Sequence, residues 1–259
     1  MRIADLFTRK PKTDKVADAM QSALDAAKAG HYSTALSIWE PLARDGHARA
    51  QNNIGACFAG GLGVERDPSL ARRWLTLSAE AGDPSGQRNL ASLLFNGQGA
   101  EPDYPEAARL YRLAAEQGDA QAQDMVSWML LEGEVVAADP VEARHWALKA
   151  AEGGVPAAMT RLGMIYHNAL GVSRDAEAAA SWWRKGAEAG DADGRAMLGA
   201  ALHLGTGIER DPVSAYLWLL RAERGGSKLA APFMKAARDA LTDDERLTVE
   251  ADAGRPDPP

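Results

Sequence analysis

The stretch His47–Gly82 reads HARAQNNIGACFAGGLGVERDPSLARRWLTLSAEAG, and its 36-residue frame recurs four more times without a gap, ending at Gly226. Six glycines stand at that interval: Gly46, Gly82, Gly118, Gly154, Gly190 and Gly226. So strict a period over most of a 259-residue chain means a tandem repeat, which decides the architecture before any motif is weighed. Ala50, Ile54, Cys57 and Phe58 share one face of an early helix, and Ala71, Trp74, Leu75 and Ala79 line a later one. Each unit therefore reads as a hairpin of two helices of about 13 residues, each about 20 Å long. The expected fold is all-α, a right-handed α-solenoid of about six hairpins.

Two columns tempt a reader toward chemistry. Asp67, Asp103, Asp139, Asp175 and Asp211 fall in register, but Pro68, Pro140 and Pro212 follow three of them, the signature of an N-cap before a first-turn proline. Glu106 and Glu142, three places on, suit a capping box. Equivalent residues of stacked helices stand about 8–10 Å apart, too far to converge at the roughly 2.0–2.6 Å a metal requires. The loops GGLGVERD, GQGAEPD and GTGIERD lack the preceding strand or the Lys-Ser/Thr ending of phosphate-binding loops. Gly61, Gly97, Gly133 and Gly205 read instead as left-handed stops of the first helix, with Asn168-Ala169 as the substitute in the fourth unit. Trp74, Trp146, Trp182 and Trp218 form an aromatic column best read as core between repeats. Gly55, Ala91, Ser127, Gly163 and Gly199 let paired helices approach closely.

With those positions in place, the pattern resembles the Sel-one-like repeat (SLR), a relative of the tetratricopeptide repeat. Ala50-Gln51-Ile54-Gly55-Phe58, Gly61-Gly63-Val64-Asp67 and Ala71-Trp74-Ala79-Gly82 carry the likeness. The third unit departs from it with Val135-Val136, and the fourth with Met159 in place of Gln, which leaves the fold intact but alters curvature locally. The resemblance implies a non-enzymatic adaptor or scaffold that binds a protein or peptide on the concave face. Cysteine-rich relatives, some described as β-lactamase-like hydrolases, staple each hairpin with a disulfide. The single cysteine here, Cys57, removes the basis for carrying that activity over.

The domain reading follows. Residues 1–15 form a flexible basic arm, 16–46 an N-terminal tetratricopeptide-like hairpin, and 47–226 the five repeats. Residues 227–253 form capping helices, with Lys228–Ala240 as one helix and a capping box at Thr242–Glu245, and 254–259 a disordered tail. The arm carries Arg2, Arg9, Lys10, Lys12 and Lys15 against Asp5 and Asp14, and its Ile3, Leu6 and Phe7 could give weak contact with a membrane surface. No run approaches the ~20 apolar residues of a membrane span, and the N-terminus lacks the apolar centre of a secretory signal. A cytoplasmic monomer is expected. A net charge of −7 disfavours nucleic acid. The five histidines show no ligand spacing, no nucleophile motif appears, and no catalytic, cofactor or metal residue is assigned. His167 and His203, one repeat apart, read as a solvated pair.

The remaining question is which surface binds. Opposite the buried side of each first helix lies a face that is polar in the early units and apolar in the later ones. Its candidate partner-binding residues are Arg49, Asn52, Asn53, Arg88, Asn89, Ser92, Met125, Trp128, Arg161, Met164 and Met197, and Leu204 closes its last row. Arg49, Asn53 and Asn89 resemble half of the carboxylate clamp of some tetratricopeptide domains, but Gln121 and Met125 stand where its completing cations would be. Trp128 breaks its own column of Ala56, Ser92, Met164 and Ala200, so it marks either an interface hot spot or a packing adjustment of the atypical third unit.

Overall fold

A computed structural model describes residues 15–254. The expected basic arm and C-terminal tail lie outside the described residues, except for Lys15, which opens the first helix, and Gly254. The chain is an all-α solenoid of paired helices, with no strand among the described residues. It divides into two compact units, Met1–Asp119 and Ala120–Pro259.

The first unit holds three stacked hairpins: α1 (Lys15–Lys28) with α2 (Tyr32–Arg44), α3 (Ala48–Gly60) with α4 (Pro68–Glu80), and α5 (Pro84–Phe95) with α6 (Tyr104–Glu116). The second holds α7 (Ala120–Glu132) with α8 (Pro140–Glu152), α9 (Pro156–His167) with α10 (Ala176–Glu188), and α11 (Ala192–Leu204) with α12 (Pro212–Arg224). It ends in α13 (Ala231–Asp239) and α14 (Asp243–Ala253). The single helix expected over 228–240 is in fact a 3₁₀ turn, Lys228–Ala230, followed by α13. Ser227 caps the turn, and Pro232, which has no N–H to give, sits in the first turn of α13. The capping box at Thr242 and Glu245 forms as expected.

All five aspartates of the column are N-caps, accepting backbone N–H bonds of 2.9–3.1 Å from Leu70, Glu106, Glu142, Ala178 and Ser214. Their own N–H groups close the loops, each donating to a first-helix carbonyl: Phe58, Leu94, Leu130, Tyr166 and Leu202. The Gly-rich loop is thus a closed structural element. Glu106 does not complete a box with Asp103; its carboxylate is taken by Arg109 at 2.6–2.7 Å, which holds it below the usual carboxylate range. The six closing glycines all have φ between +80° and +97° with nothing near a Cβ, so backbone conformation alone requires them. At the loop stop of the fourth unit, Ala169 takes the left-handed conformation (φ 57°), whereas Asn168 stays at φ −93°. This overturns the expectation for Asn168: register, rather than residue preference, sets which position turns.

Within each hairpin, a Cβ at Gly55 would meet Leu75 and one at Gly199 would meet Leu219, at 2.7 and 2.8 Å, while at Gly163 it would strike the Trp183 ring. The deepest second-helix column is therefore Trp39, Leu75, Tyr111, Ala147, Trp183 and Leu219, all within 3% of full burial. The tryptophan column expected in that role lies one residue away and is shallower. Trp146 is buried, but Trp74, Trp182 and Trp218 are half-buried, with Lys185 4.1 Å above the Trp182 ring.

Asp139→Ala is expected to cost about 0.5–2 kcal/mol of unfolding free energy in chemical denaturation. Ala169→Gly is expected to stabilise by up to about 1 kcal/mol, because it removes left-handed strain at some cost in chain entropy.

Candidate functional site

In the first unit the expected binding residues lie on α3 and α5. Arg49 is exposed at the start of α3 and makes no ion pair among the described residues. Asn52 is only 6% exposed, which corrects the outward position expected for it. It faces the neighbouring first helix, where its Oδ1 accepts from Asn89 Nδ2 at 2.8 Å, while its Nδ2 donates to Asn53 Oδ1 at 3.2 Å. Asn89 Oδ1 accepts from Arg88 Nε at 3.4 Å, and Arg88 Nη1 reaches Asp119 at 3.0 Å. One line of hydrogen bonds thus runs Asn53, Asn52, Asn89, Arg88, Asp119, and it neutralises Arg88 within the fold. Beside it a cleft of about 260 Å³ is bounded by Ala56, Asn89, Ser92 and Gln98 over Leu75 and Leu93. Tyr111 lies behind Ser92. Burial raises its phenol above the ordinary value, partly offset by the hydrogen bond with Ser92, so the group is neutral near pH 7.

In the second unit the set lies on α7, α9 and α11. Arg161 Nε donates to Asp124 Oδ1 at 3.1 Å, and the two side chains are 18% and 11% exposed. Thr160 Oγ1 donates to Asp191 Oδ2 at 2.6 Å, the same carboxylate that caps α11 through Gly194 N–H. Ser227 Oγ donates to Asp193 at 2.6 Å. Several charges of this face are therefore satisfied internally, and its apolar side chains face outward to different degrees. Met125, Trp128 and Met197 are half-buried, Met164 is 41% exposed and Leu204 61%. Leu204 stands where the other repeats carry Gly60, Asn96, Glu132 and Asn168. Sequence reading placed it on the face without singling it out, although its apolar character in a polar column was a usable signal.

The same reading missed the roles of Asp119 and Asp124. The available clue was an offset of 37 residues, one repeat plus one, which joins both Asn52 to Asn89 and Asp124 to Arg161. Among the described residues no group of three or more His, Cys, Asp or Glu side chains is placed to hold a metal ion. Cys57 is buried, and desolvation raises its thiol above the ordinary value, which suppresses the reactive thiolate. His167, expected to be solvated, is half-buried with its ring 5.3 Å from that of Trp183. No described helix is long and apolar enough to cross a membrane.

A family model for the Sel1 repeat matches five consecutive segments, residues 48–83, 84–119, 120–155, 156–191 and 192–227. Among solved structures, the chain is similar to a Sel1 repeat protein from Oxalobacter formigenes, with a TM-score of 0.80 and 26% identity over 93% of this chain and 99% of that one. It is also similar to a protective antigen of uropathogenic Escherichia coli with an SLR fold, at TM-score 0.60 and 24% identity, covering 92% of this chain and 60% of the antigen. A Sel1 repeat protein from Klebsiella pneumoniae gives a TM-score of 0.51 and 22% identity over 78% and 98% of the two chains. The last two likenesses concern fold alone. No curated protein matches.

Arg161→Met, which strands Asp124, is expected to cost about 1–3 kcal/mol in denaturant titration. The double variant Asp124→Leu/Arg161→Met is expected to cost less than the two single changes added together.

Proposed function

We propose that this chain, which belongs to the Sel1-repeat family, is a non-enzymatic adaptor that holds a protein or peptide against the outward faces of its first helices. Proteins of this family act as scaffolds for protein–protein interaction. The observation that carries the reading is the apolar set on α7, α9 and α11: Trp128, Met164 and Leu204, with Met125 and Met197 between them. Two of these, Met164 and Leu204, are large side chains kept well in contact with water, and the hairpin's own packing does not require either. Tryptophan is enriched at binding hot spots, and methionine supplies an adaptable apolar surround.

The internal pairing of Arg161 with Asp124 and of Thr160 with Asp191 adds a further feature. Binding at this set draws on apolar burial more than on charge, so capture should weaken little between low and high salt. In the first unit, Arg49 and the cleft beside Asn89 and Ser92 form a separate, more polar candidate surface. The non-enzymatic part of the proposal is supported by the use of the aspartate column as helix caps and by the buried, protonated Cys57 thiol.

Trp128→Ala is expected to weaken partner capture by at least about 2 kcal/mol, near thirtyfold, with little change in melting temperature. Capture retained alongside a large fall in melting temperature would assign Trp128 to packing and remove the apolar set as the binding face.

A further inference from the structure

The apolar set of the second unit narrows the form its occupant takes. Met164 is 41% and Leu204 61% exposed, and Trp128 is half-buried. Trp128 and Met164 share one column, a repeat apart, and Leu204 stands one helical turn beyond that column on the next first helix. Each step along this line crosses one spacing between stacked helices, about 8–10 Å. Seven residues of an α-helix rise about 10.5 Å. Side chains at i, i+7 and i+14 of one helix therefore match all three positions.

The polar groups of the same helices decide between a helix and an extended chain. Three residues of a polyproline-type chain advance about 9.3 Å and cover the same step, but they leave backbone N–H and C=O groups that need partners on the receiving face. Here Arg161 Nε is given to Asp124 Oδ1 at 3.1 Å, Thr160 Oγ1 to Asp191 Oδ2 at 2.6 Å, and Asp193 Oδ1 accepts from Ser227 Oγ at 2.6 Å. Arg195 Nε donates to the Ala187 carbonyl at 3.3 Å. A face whose polar side chains are already used offers little to an open backbone. An α-helix satisfies its own backbone and presents only side chains.

Charge sets the rest of the chemistry. Glu132 ends α7 one turn beyond Trp128, on the same side of the helix, and Glu134 follows it. Both are exposed, and neither is in an ion pair among the described residues. The three helices hold no lysine, and their two arginines, Arg161 and Arg195, are engaged within the fold. No cation of these helices is left to answer the acidic end. We propose, resting on the first-helix face of the second unit as the binding surface, that the occupant is an amphipathic helix of a partner protein. It is about four turns long, lays its apolar stripe on Trp128, Met164 and Leu204, and carries lysine or arginine at the end that reaches Glu132 and Glu134. The stripe supplies most of the affinity, and the acidic end fixes the direction in which the helix lies.

Fluorescence anisotropy with the full chain tests this, using three labelled synthetic peptides. The first is an alanine-based helix of about 18 residues, with three leucines seven apart and two lysines at one end. The second has proline at its centre, and the third has glutamate in place of the lysines. The first is expected to bind, and the proline peptide to bind at least about tenfold more weakly, because proline breaks the helix. Leu204→Glu places at that position the residue type found there in the third repeat, so the fold should tolerate it. It should weaken the first peptide at least about fivefold, whereas Val141→Glu on α8 should leave binding unchanged. The Glu132→Lys/Glu134→Lys variant should prefer the glutamate peptide to the lysine one. Equal binding of the helical and proline peptides, with Leu204→Glu still weakening both, would overturn the helical occupant and leave the face standing. Binding of the first peptide that Leu204→Glu does not change would contradict the face itself. The proposal is also overturned if the first peptide does not bind, or if the charge variant keeps the wild-type preference.

Discussion

Close approach of the two helices in each hairpin is the constraint on which the rest of the structure depends. Gly55, Gly163 and Gly199 leave room for Leu75, Trp183 and Leu219 to lie directly against the opposite backbone. Once that contact exists, the second-helix column from Trp39 to Leu219 is buried, and a hairpin too small to bury its own apolar surface gains the remainder from its neighbour. Buried glutamines then tie successive hairpins of the first unit together: Gln51 Nε2 donates to the Ala43 carbonyl at 3.0 Å, and Gln87 Nε2 to that of Ala79 at 3.4 Å. The aspartate caps and left-handed glycines hold the hairpin ends in the geometry that allows this contact.

Much of the fold was legible because its signals are local. A cap, a left-handed glycine or a small residue opposite a large one depends on neighbours within one 36-residue unit, and repetition makes each visible five times. The errors arose where a second unit decides the outcome. Asn52 reads as outward-facing on its own helix, yet the neighbouring first helix covers it. The tryptophan column looks like the core until the deeper column beside it, filled by residues as different as Tyr111 and Ala147, is seen in place. Ala169 and Asn168 could not be distinguished by preference, since the residue better suited to φ > 0 is not the one in register. The candidate site was less legible than the fold. Side chains that read as ligands for a partner, Arg88 and Arg161, are neutralised by Asp119 and Asp124, each some thirty residues or more away in sequence.

That internal neutralisation shapes the functional account. A repeat array presents the same backbone again and again, so what distinguishes one surface from another is the side chains that break their columns. Charged residues on the second unit's first helices are largely drawn into contacts between repeats, which stiffen the array and leave the apolar exceptions to face outward. Met164 and Leu204 are such exceptions on the second unit. Departure from the repeat thereby becomes the most informative property of a residue in this chain.

The central claim is that the partner lies on the first-helix face of the second unit. Photo-crosslinking from single positions tests it most directly, with the reactive group placed at position 164 on α9 or, for comparison, at 141 on α8. Met164 and Val141 are both apolar and well exposed, 41% and 58%, so accessibility alone does not favour the first-helix position. The account predicts a covalent adduct with the partner from position 164 and none from position 141. An adduct from position 141 alone would contradict it.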